Sequence, residues 1–245
     1  MVDLGCMKIP LSGNFSMVLA TGGILWGCLL VTLVFCLSEQ TGPAVYKETG
    51  KEFAEACSST LLVTCVWCLI YYNYLGVAVM CVFCGNAFEM FDPNKDVTDK
   101  FGTIAGRFQG NMFEQAPVHL LGLWMYTLFV DYTTGANLGA LYIVGRIIYP
   151  FFYMVNRQFT MWFEFCTQIG YGVNGVFIIG TAAQAAGWDW IGWAKGAPIA
   201  AAITGFFCGS LAVFPALPLG PLYTFIHYKY DHKVACPDSD DDEDL

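Results

Sequence analysis

The sequence predicts an all-α integral membrane protein, a helical bundle with six crossings. Its 245 residues are 56% hydrophobic and only 13% charged, whereas a soluble domain usually carries about 25% charged residues. Several long stretches lack any charge, and the first of them, residues 16–37, is long enough to cross a bilayer. The composition therefore excludes an ordinary water-soluble domain.

The first helix is residues 16–37, and the next two follow from similar stretches. A polar loop at 38–57 leads into the uncharged residues 56–88, which contain the second helix. A second polar loop at 89–100, with a turn at 92–94, precedes the third helix, which runs from near 107 to about 130.

The last three helices are marked by proline and tryptophan. A tight connector at 131–135 makes the fourth helix, about 137–157, an antiparallel neighbour of the third, and Pro150 predicts a kink in it. The fifth helix, 165–188, ends in a tryptophan-rich segment that predicts an aromatic belt at the membrane interface. The sixth helix, about 197–222, is broken near its end by three prolines: Pro215, Pro218 and Pro221.

The net charge of −9 comes from the C-terminal tail. Six of the 20 acidic residues lie in the last eight positions, and the rest of the chain is close to neutral. This distribution predicts no nucleic-acid partner. The eleven cysteines include Cys65-x-x-Cys68 and Cys81-x-x-Cys84, but a helix would hold these pairs about 24 Å apart, too far for one zinc ion. We therefore predict no metal.

Basic residues predict the orientation in the membrane. One set of loops and termini holds six of them: Lys8, Lys95, Lys100, Arg157, Lys229 and Lys233. The opposite loops hold three: Lys47, Lys51 and Lys195. Both termini are therefore predicted on the cytosolic or matrix side. The predicted membrane is that of the endoplasmic reticulum or the mitochondrial inner membrane, and membrane lipids are predicted partners.

Ionisable residues inside membrane helices are expensive and mark functional sites by default. On the third helix Arg107, Asn111 and Glu114 share one face at spacings of four and seven residues. Such a stripe fits a small zwitterion with carboxylates and amides. The alternative is a structural ion pair that fixes helix register, either Arg107 with Glu114 or Glu114 with Arg146.

The fourth helix carries a matching stripe. Arg146, Tyr149 and Tyr153 recur at spacings of three and seven residues, and Arg157 lies nearly in line with them. His119 is predicted to be a packed or interfacial histidine. Two pairs of glycines four residues apart predict close helix approach: Gly135 with Gly139, and Gly205 with Gly209.

Residues 107–117 resemble the R-x-x-x-N-x-x-E-x-x-P signature of the MAPEG family, the membrane-associated proteins in eicosanoid and glutathione metabolism. Residues 141–149 look like the family's second conserved block. The resemblance implies a four-helix core at 58–188, with one extra transmembrane helix at each end. The flanking parts are a helix and polar loop at 1–57, a helix and basic segment at 189–233, and an acidic tail at 234–245.

The resemblance also implies a homotrimer that binds glutathione between subunits near the cytosolic face. By motif position, Arg107, Asn111 and Glu114 hold the tripeptide. Arg146, Tyr149 and Tyr153 lie across from them. The implied activity is that of a microsomal glutathione S-transferase-like protein, a transferase or peroxidase acting on lipophilic electrophiles.

One departure from the family pattern leaves catalysis open. Family enzymes stabilise the glutathione thiolate with an arginine beyond the second tyrosine, but residues 159–162 contain no base. Arg157 and Tyr153 are the candidate catalytic groups, although Arg157 also fits an ordinary cation reaching the headgroups. The alternative function is a catalytically silent scaffold subunit of a larger membrane complex, such as a respiratory or photosynthetic assembly.

Overall fold

The computed structural model describes residues 2–3, 8–9, 13–91, 98–156 and 164–211, with backbone alone at some positions. Within these ranges the chain is mainly helical. The exceptions include an antiparallel pairing of Val2–Asp3 with Lys8–Ile9 and the loop after the first helix, which contains the short 3-10 helix Ala44–Tyr46. The helices are α1 Gly13–Leu37, α2 Gly50–Phe91, α3 Thr98–Phe129, α4 Tyr132–Asn156, α5 Glu164–Ala185, α6 Trp190–Gly196 and α7 Pro198–Leu211.

Helices α2 to α5 pack around a common interior. Neighbours along the chain contact each other, and α2 also packs on α4 and α3 on α5. Large side chains fill the space between them and are almost fully buried: Met112, Leu123, Tyr126, Tyr142 and Phe177. The 42 residues of α2 span about 63 Å at 1.5 Å per residue, well beyond the roughly 30 Å of a bilayer's hydrocarbon core.

Asp131 organises the short connector between α3 and α4. Its carboxylate accepts a hydrogen bond from the Thr134 amide at 2.7 Å, so α4 begins at Tyr132, earlier than the sequence predicted. The same fully buried carboxylate accepts from the amides of Thr41 at 2.7 Å and Gly42 at 2.8 Å. Asp131 therefore fastens the loop after α1 to this connector.

Helix α1 packs against α5 and touches α4 and α6. A glycine allows the close approach, because a Cβ on Gly27 would lie 2.9 Å from the Phe206 ring and 3.2 Å from the Gln168 carbonyl oxygen. At the end of α1, the Lys195 ammonium of α6 donates to the Ser38 carbonyl oxygen. Charge at this position complements the negative end of the helix dipole.

The predicted glycine spacings serve close helix packing within the chain. A Cβ on Gly209 of α7 would lie 2.5 Å from the Tyr171 carbonyl oxygen of α5, and Gly205 closes against α5 in the same way. A Cβ on Gly139 of α4 would lie 2.8 Å from Val63 of α2. Close helix approach at both glycine pairs is therefore confirmed.

The tryptophan-rich segment differs from its prediction. Residues 190–196 form the separate helix α6, whose N-terminus is capped by the Asp189 carboxylate accepting from the Gly192 amide at 3.0 Å. Trp188 is exposed, but Trp190 is only 3% exposed, and its indole donates to the Tyr126 hydroxyl at 3.1 Å. Trp190 is thus a core residue. Its burial is tolerated because the Tyr126 hydroxyl accepts a hydrogen bond from its N–H.

By length and composition, the described residues contain one helix that could cross a membrane, Gly50–Cys81 within α2. The pair α6 and α7, bent by 119°, would count as a second span. Six crossings and a four-helix core stay predictions. Elsewhere large apolar side chains face outward, including Leu121, Ile147 and Phe151.

Several sequence predictions concern residues outside the described ranges. These are the turn at 92–94, Arg157, the stretch 159–162, the three prolines that break the sixth helix, the basic segment before residue 233 and the acidic tail. The described helices up to Gly209 belong to one compact unit, Met1–Gly209.

Candidate functional site

Arg146 is the centre of a buried polar cluster between α3 and α4. Its side chain is 3% exposed, and its guanidinium donates one hydrogen bond to the Asn111 Oδ1 and another to the Gln115 Oε1. Asn111 and Gln115 are four residues apart on α3, so both amides point to the same side of that helix. The fork of the guanidinium is therefore held between two neutral acceptors.

Aromatic rings line the same cluster. The guanidinium carbon lies 4.9 Å from the centre of the Tyr142 ring and 5.9 Å from that of Tyr149, both within range of a cation–π interaction. The Tyr142 hydroxyl also faces the Gln115 Oε1 at 3.4 Å. These rings cover the guanidinium and present their electron-rich faces to it, where water would otherwise lie.

The charge of Arg146 has no carboxylate partner among the described side chains. The single ion pair in that part of the chain joins Lys51 and Glu55, which are exposed on α2 and 3.9 Å apart. Glu114 is exposed and does not pair with Arg146. A buried cation is costly when no opposite charge neutralises it. Among the described side chains, this guanidinium has hydrogen-bond acceptors but no counter-ion.

Helix α5 closes over the cluster through Gly170. A Cβ at this position would lie 3.2 Å from the Arg146 Nη2, 3.3 Å from the Tyr142 ring and 3.4 Å from the Gln115 Oε1. Contacts as short as the first two are tighter than almost all real Cβ contacts. The absence of a side chain at residue 170 therefore lets α5 lie directly against the guanidinium.

A second layer lies behind Tyr142. The His119 imidazole stacks on the Tyr142 ring, with centroids 3.5 Å apart and planes 12° from parallel. His119 Nδ1 and the Asn174 Oδ1 are 3.1 Å apart, which ties α3 to α5. His119 was predicted to be either packed or interfacial, and its complete burial supports the packed alternative.

Backbone contact also fixes Arg146. The Tyr74 hydroxyl of α2 donates to the Arg146 carbonyl oxygen, and Tyr74 is itself buried. Three helices of the bundle thus contact this one residue: α2 at its carbonyl oxygen, α3 at its guanidinium and α5 through Gly170.

Of the predicted site residues, the structure brings together Asn111, Arg146 and Tyr149. Glu114 is exposed and forms no ion pair with Arg146. The structure describes only the backbone at Arg107 and Tyr153, on α3 and α4, and Arg157 lies outside the described residues. The prediction of their roles therefore stays a prediction.

Sequence reasoning missed Gln115, Tyr74 and Gly170. Gln115 had a usable signal, because it follows Asn111 by four residues and so faces the same way. Tyr74 gave none, since a tyrosine in an apolar helix is ordinary. Among the described residues no three His, Cys, Asp or Glu side chains gather as they would around a metal ion.

These features define a class of protein, a helical bundle with a buried guanidinium, amide acceptors and an aromatic lining. The MAPEG family model matches residues 61–183, half of the chain, so this chain belongs to the MAPEG family. Members of this family are membrane-associated and use glutathione.

A shorter likeness joins the chain to a bacterial protein. Over 47 residues it is 43% identical to an uncharacterized protein of Synechocystis sp., which corresponds to 19% of this chain and 34% of that protein. The match thus spans about a third of that relative's length. No solved structure matches the chain significantly.

Proposed function

We propose that this protein binds glutathione within a membrane, with the Arg146 guanidinium receiving one of its carboxylates. The observation that carries the proposal is the burial of Arg146 among neutral acceptors, with no carboxylate partner on the described side chains. Glutathione offers two carboxylates, two amides and a thiol, and a guanidinium fork matches a carboxylate in shape and charge.

The remaining ligands are assigned by motif position. Arg107, Asn111 and Glu114 hold the tripeptide from α3, and Tyr149 and Tyr153 face it from α4. The exposed Glu114 carboxylate is available to the ammonium group of glutathione. Because Glu114 is exposed, the ligand extends from the buried Arg146 toward the surface of α3.

The reaction we propose is attack of the glutathione thiolate on a lipophilic electrophile or on a peroxide. The thiolate is the nucleophile, and a thiol with a pKa near 8.5 needs a nearby cation or donor to ionise. Residues 159–162 contain no base, so Arg157 and Tyr153 are assigned this role. With a carbon electrophile, the new bond joins sulfur to carbon, and the leaving group departs with the electron pair of the bond that breaks. With a peroxide, the sulfur attacks one oxygen, the O–O bond breaks and the other oxygen leaves as an alcohol after taking a proton. A second glutathione then converts the resulting sulfenic acid to the disulfide and water.

The setting is a multi-pass helical bundle, a four-helix core with a further helix on each side. Both termini lie on the cytosolic or matrix side, in the endoplasmic reticulum or the mitochondrial inner membrane. Helices α1 and α7 pack against α5, which leaves outward apolar side chains on α2 and α3, such as Leu69 and Leu121, for lipid or for other copies in a homotrimer.

A silent scaffold subunit of a larger membrane complex is the second candidate function. It is favoured by the missing base at 159–162 and by the tight joining of α1 and α7 to α5, since close-packed extra helices add structure without adding to the ligand site. Native purification separates the two functions. Recovery as a free homotrimer favours the enzyme, and co-purification with fixed other subunits favours the scaffold.

Glutathione binding by detergent-purified protein tests the proposal. We expect Arg146→Gln and Arg107→Ala to weaken binding by about 30-fold or more, as truncating one partner of a buried charge pair does. Lys51→Gln is the matched control, because it removes the same charge from an exposed site on α2, and it should bind like wild type. Equal affinity in wild type and Arg146→Gln contradicts the assignment.

A further inference from the structure

Helix α4 contains a proline one turn after Arg146. In an uninterrupted α-helix the amide at position 150 would donate to the carbonyl oxygen of residue 146. Pro150 has no amide hydrogen, and its ring crowds that same carbonyl. The Arg146 carbonyl oxygen therefore loses its usual helical partner within the core of the bundle.

Another helix supplies the missing donor. The hydroxyl of Tyr74 on α2 donates to the Arg146 carbonyl oxygen. Tyr74 is 6% exposed and Arg146 3%, so water has little access to either group. A buried carbonyl group without a donor is unfavourable, so this contact replaces the hydrogen bond that Pro150 removes.

We propose that Tyr74 is a positioning residue for Arg146: its hydroxyl substitutes for the amide that Pro150 lacks and so fixes the backbone from which the guanidinium reaches Asn111 and Gln115. This inference rests on the proposed function, since the guanidinium is there the group that receives glutathione. A small rotation of α4 at Arg146 would swing the end of its long side chain away from both amides.

The pairing of tyrosine and proline makes a specific prediction. If Tyr74 replaces a missing amide, restoring that amide with Pro150→Ala makes the hydroxyl dispensable. A tyrosine that only filled space or stabilised the bundle would matter equally with either residue at position 150. The two substitutions are therefore tested singly and together.

The first measurement follows the carbonyl group itself. The full chain in detergent is labelled with ¹³C at the carbonyl carbon of arginine, of which it has three: Arg107, Arg146 and Arg157. Arg146→Lys identifies the signal of Arg146. We expect Tyr74→Phe to move this signal upfield, and Pro150→Ala to reduce that displacement. Tyr72→Phe, which removes a hydroxyl from an exposed position on the same helix, is the control and should leave it in place.

The second measurement is glutathione affinity in the same variants. Tyr74→Phe should weaken binding about fivefold, the ratio that corresponds to one ordinary hydrogen bond. In the Pro150→Ala background the same change should weaken it less than about twofold. Tyr72→Phe should bind like wild type.

Two results overturn the inference. One is a carbonyl signal that responds no more to Tyr74→Phe than to Tyr72→Phe. The other is an equal loss of affinity from Tyr74→Phe with proline and with alanine at position 150. Failure of wild type to bind glutathione overturns the proposed function, and with it the role of Tyr74 in binding, while the carbonyl signal still decides whether Tyr74 replaces the amide.

Discussion

At the scale of single residues, the described hydrogen-bond partners of the Arg146 guanidinium are neutral amides, whereas a buried arginine is usually paired with a carboxylate. Asn111 and Gln115 each accept a hydrogen bond from this guanidinium but leave its charge uncompensated within the described part of the chain. Amides thus orient the guanidinium without neutralising it. That combination suits a group that must be pre-organised yet still attract an anion.

A carboxylate placed beside Arg146 should compete with the ligand. Gln115→Glu gives the guanidinium an internal counter-ion, so we expect glutathione to bind more than about tenfold more weakly while the fold is retained. Isothermal titration and a thermal melt measure the two effects. Gln184→Glu adds the same charge near the end of α5 and should leave affinity unchanged, so a similar loss there would point to net charge alone.

Gly170→Ala tests how closely α5 approaches the same site. The added methyl group would press on the Arg146 Nη2 at 3.2 Å and on the Tyr142 ring at 3.3 Å. Displacing them should weaken glutathione binding about fivefold, since crowding a packed site costs about 1 kcal/mol or more. Gly196→Ala is the control, because a Cβ there meets nothing within 4 Å. Unchanged affinity in Gly170→Ala would show that the guanidinium lies free of α5.

At the scale of elements, the loop after α1 is held to the connector between α3 and α4. Asp131 binds the amides of Thr41 and Gly42 as well as that of Thr134 at the start of α4. A carboxylate that accepts three amide hydrogen bonds is satisfied without a cation. The Asp131 side chain thereby joins the loop after α1 to the start of α4.

Removing that carboxylate should loosen this end of the bundle. Asp131→Ala leaves three amides without their acceptor, and we expect a loss of about 1–3 kcal/mol. For a chain of this size each kcal/mol lowers the melting temperature by about 2–4 °C. Glu48→Ala, at an exposed position in the same region, should melt like wild type. Equal melting temperatures for the two variants would mean that Asp131 does not hold the loop.

The elements also show which features the sequence could reveal. Arg146 and Asn111 were predictable because polar and charged residues are rare in membrane helices, and Gly205 and Gly209 because their spacing favours close packing. Trp190 was misread as interfacial, since its burial depends on the Tyr126 hydroxyl 64 positions away in the chain. Tyr74 was missed for the same reason: its partner is a backbone carbonyl on another helix.

At the scale of the whole molecule, α1 and α7 both lie against the same helix of the bundle. Helix α1 and helix α7 pack on α5, while α2 presents large exposed side chains such as Leu69, Tyr72 and Met80. The exposed amide of Asn73 lies among them. Among the described residues, this face of α2 is therefore exposed, and it is the face that we assign to the proposed homotrimer.

We expect native mass spectrometry of the gently solubilised protein to give three copies of the chain. Leu69→Arg, on the open face of α2, should shift the population toward single copies, because a buried unpaired charge opposes association. Leu29→Arg, at a similarly exposed position on α1, should leave the trimer intact. A trimer that survives the first change and not the second would place the contact on α1.

The central claim is that Arg146 recognises an anionic group of glutathione. The most direct test measures how tightly wild type and Arg146→Gln bind glutathione and its diethyl ester. Both carboxylates are neutral in the ester. Thiolate absorbance is followed in the same samples. Wild type is expected to prefer glutathione by about tenfold or more, and Arg146→Gln should lose most of this preference. Equal affinity of wild type for glutathione and its diester, or an unchanged preference in Arg146→Gln, would contradict this claim.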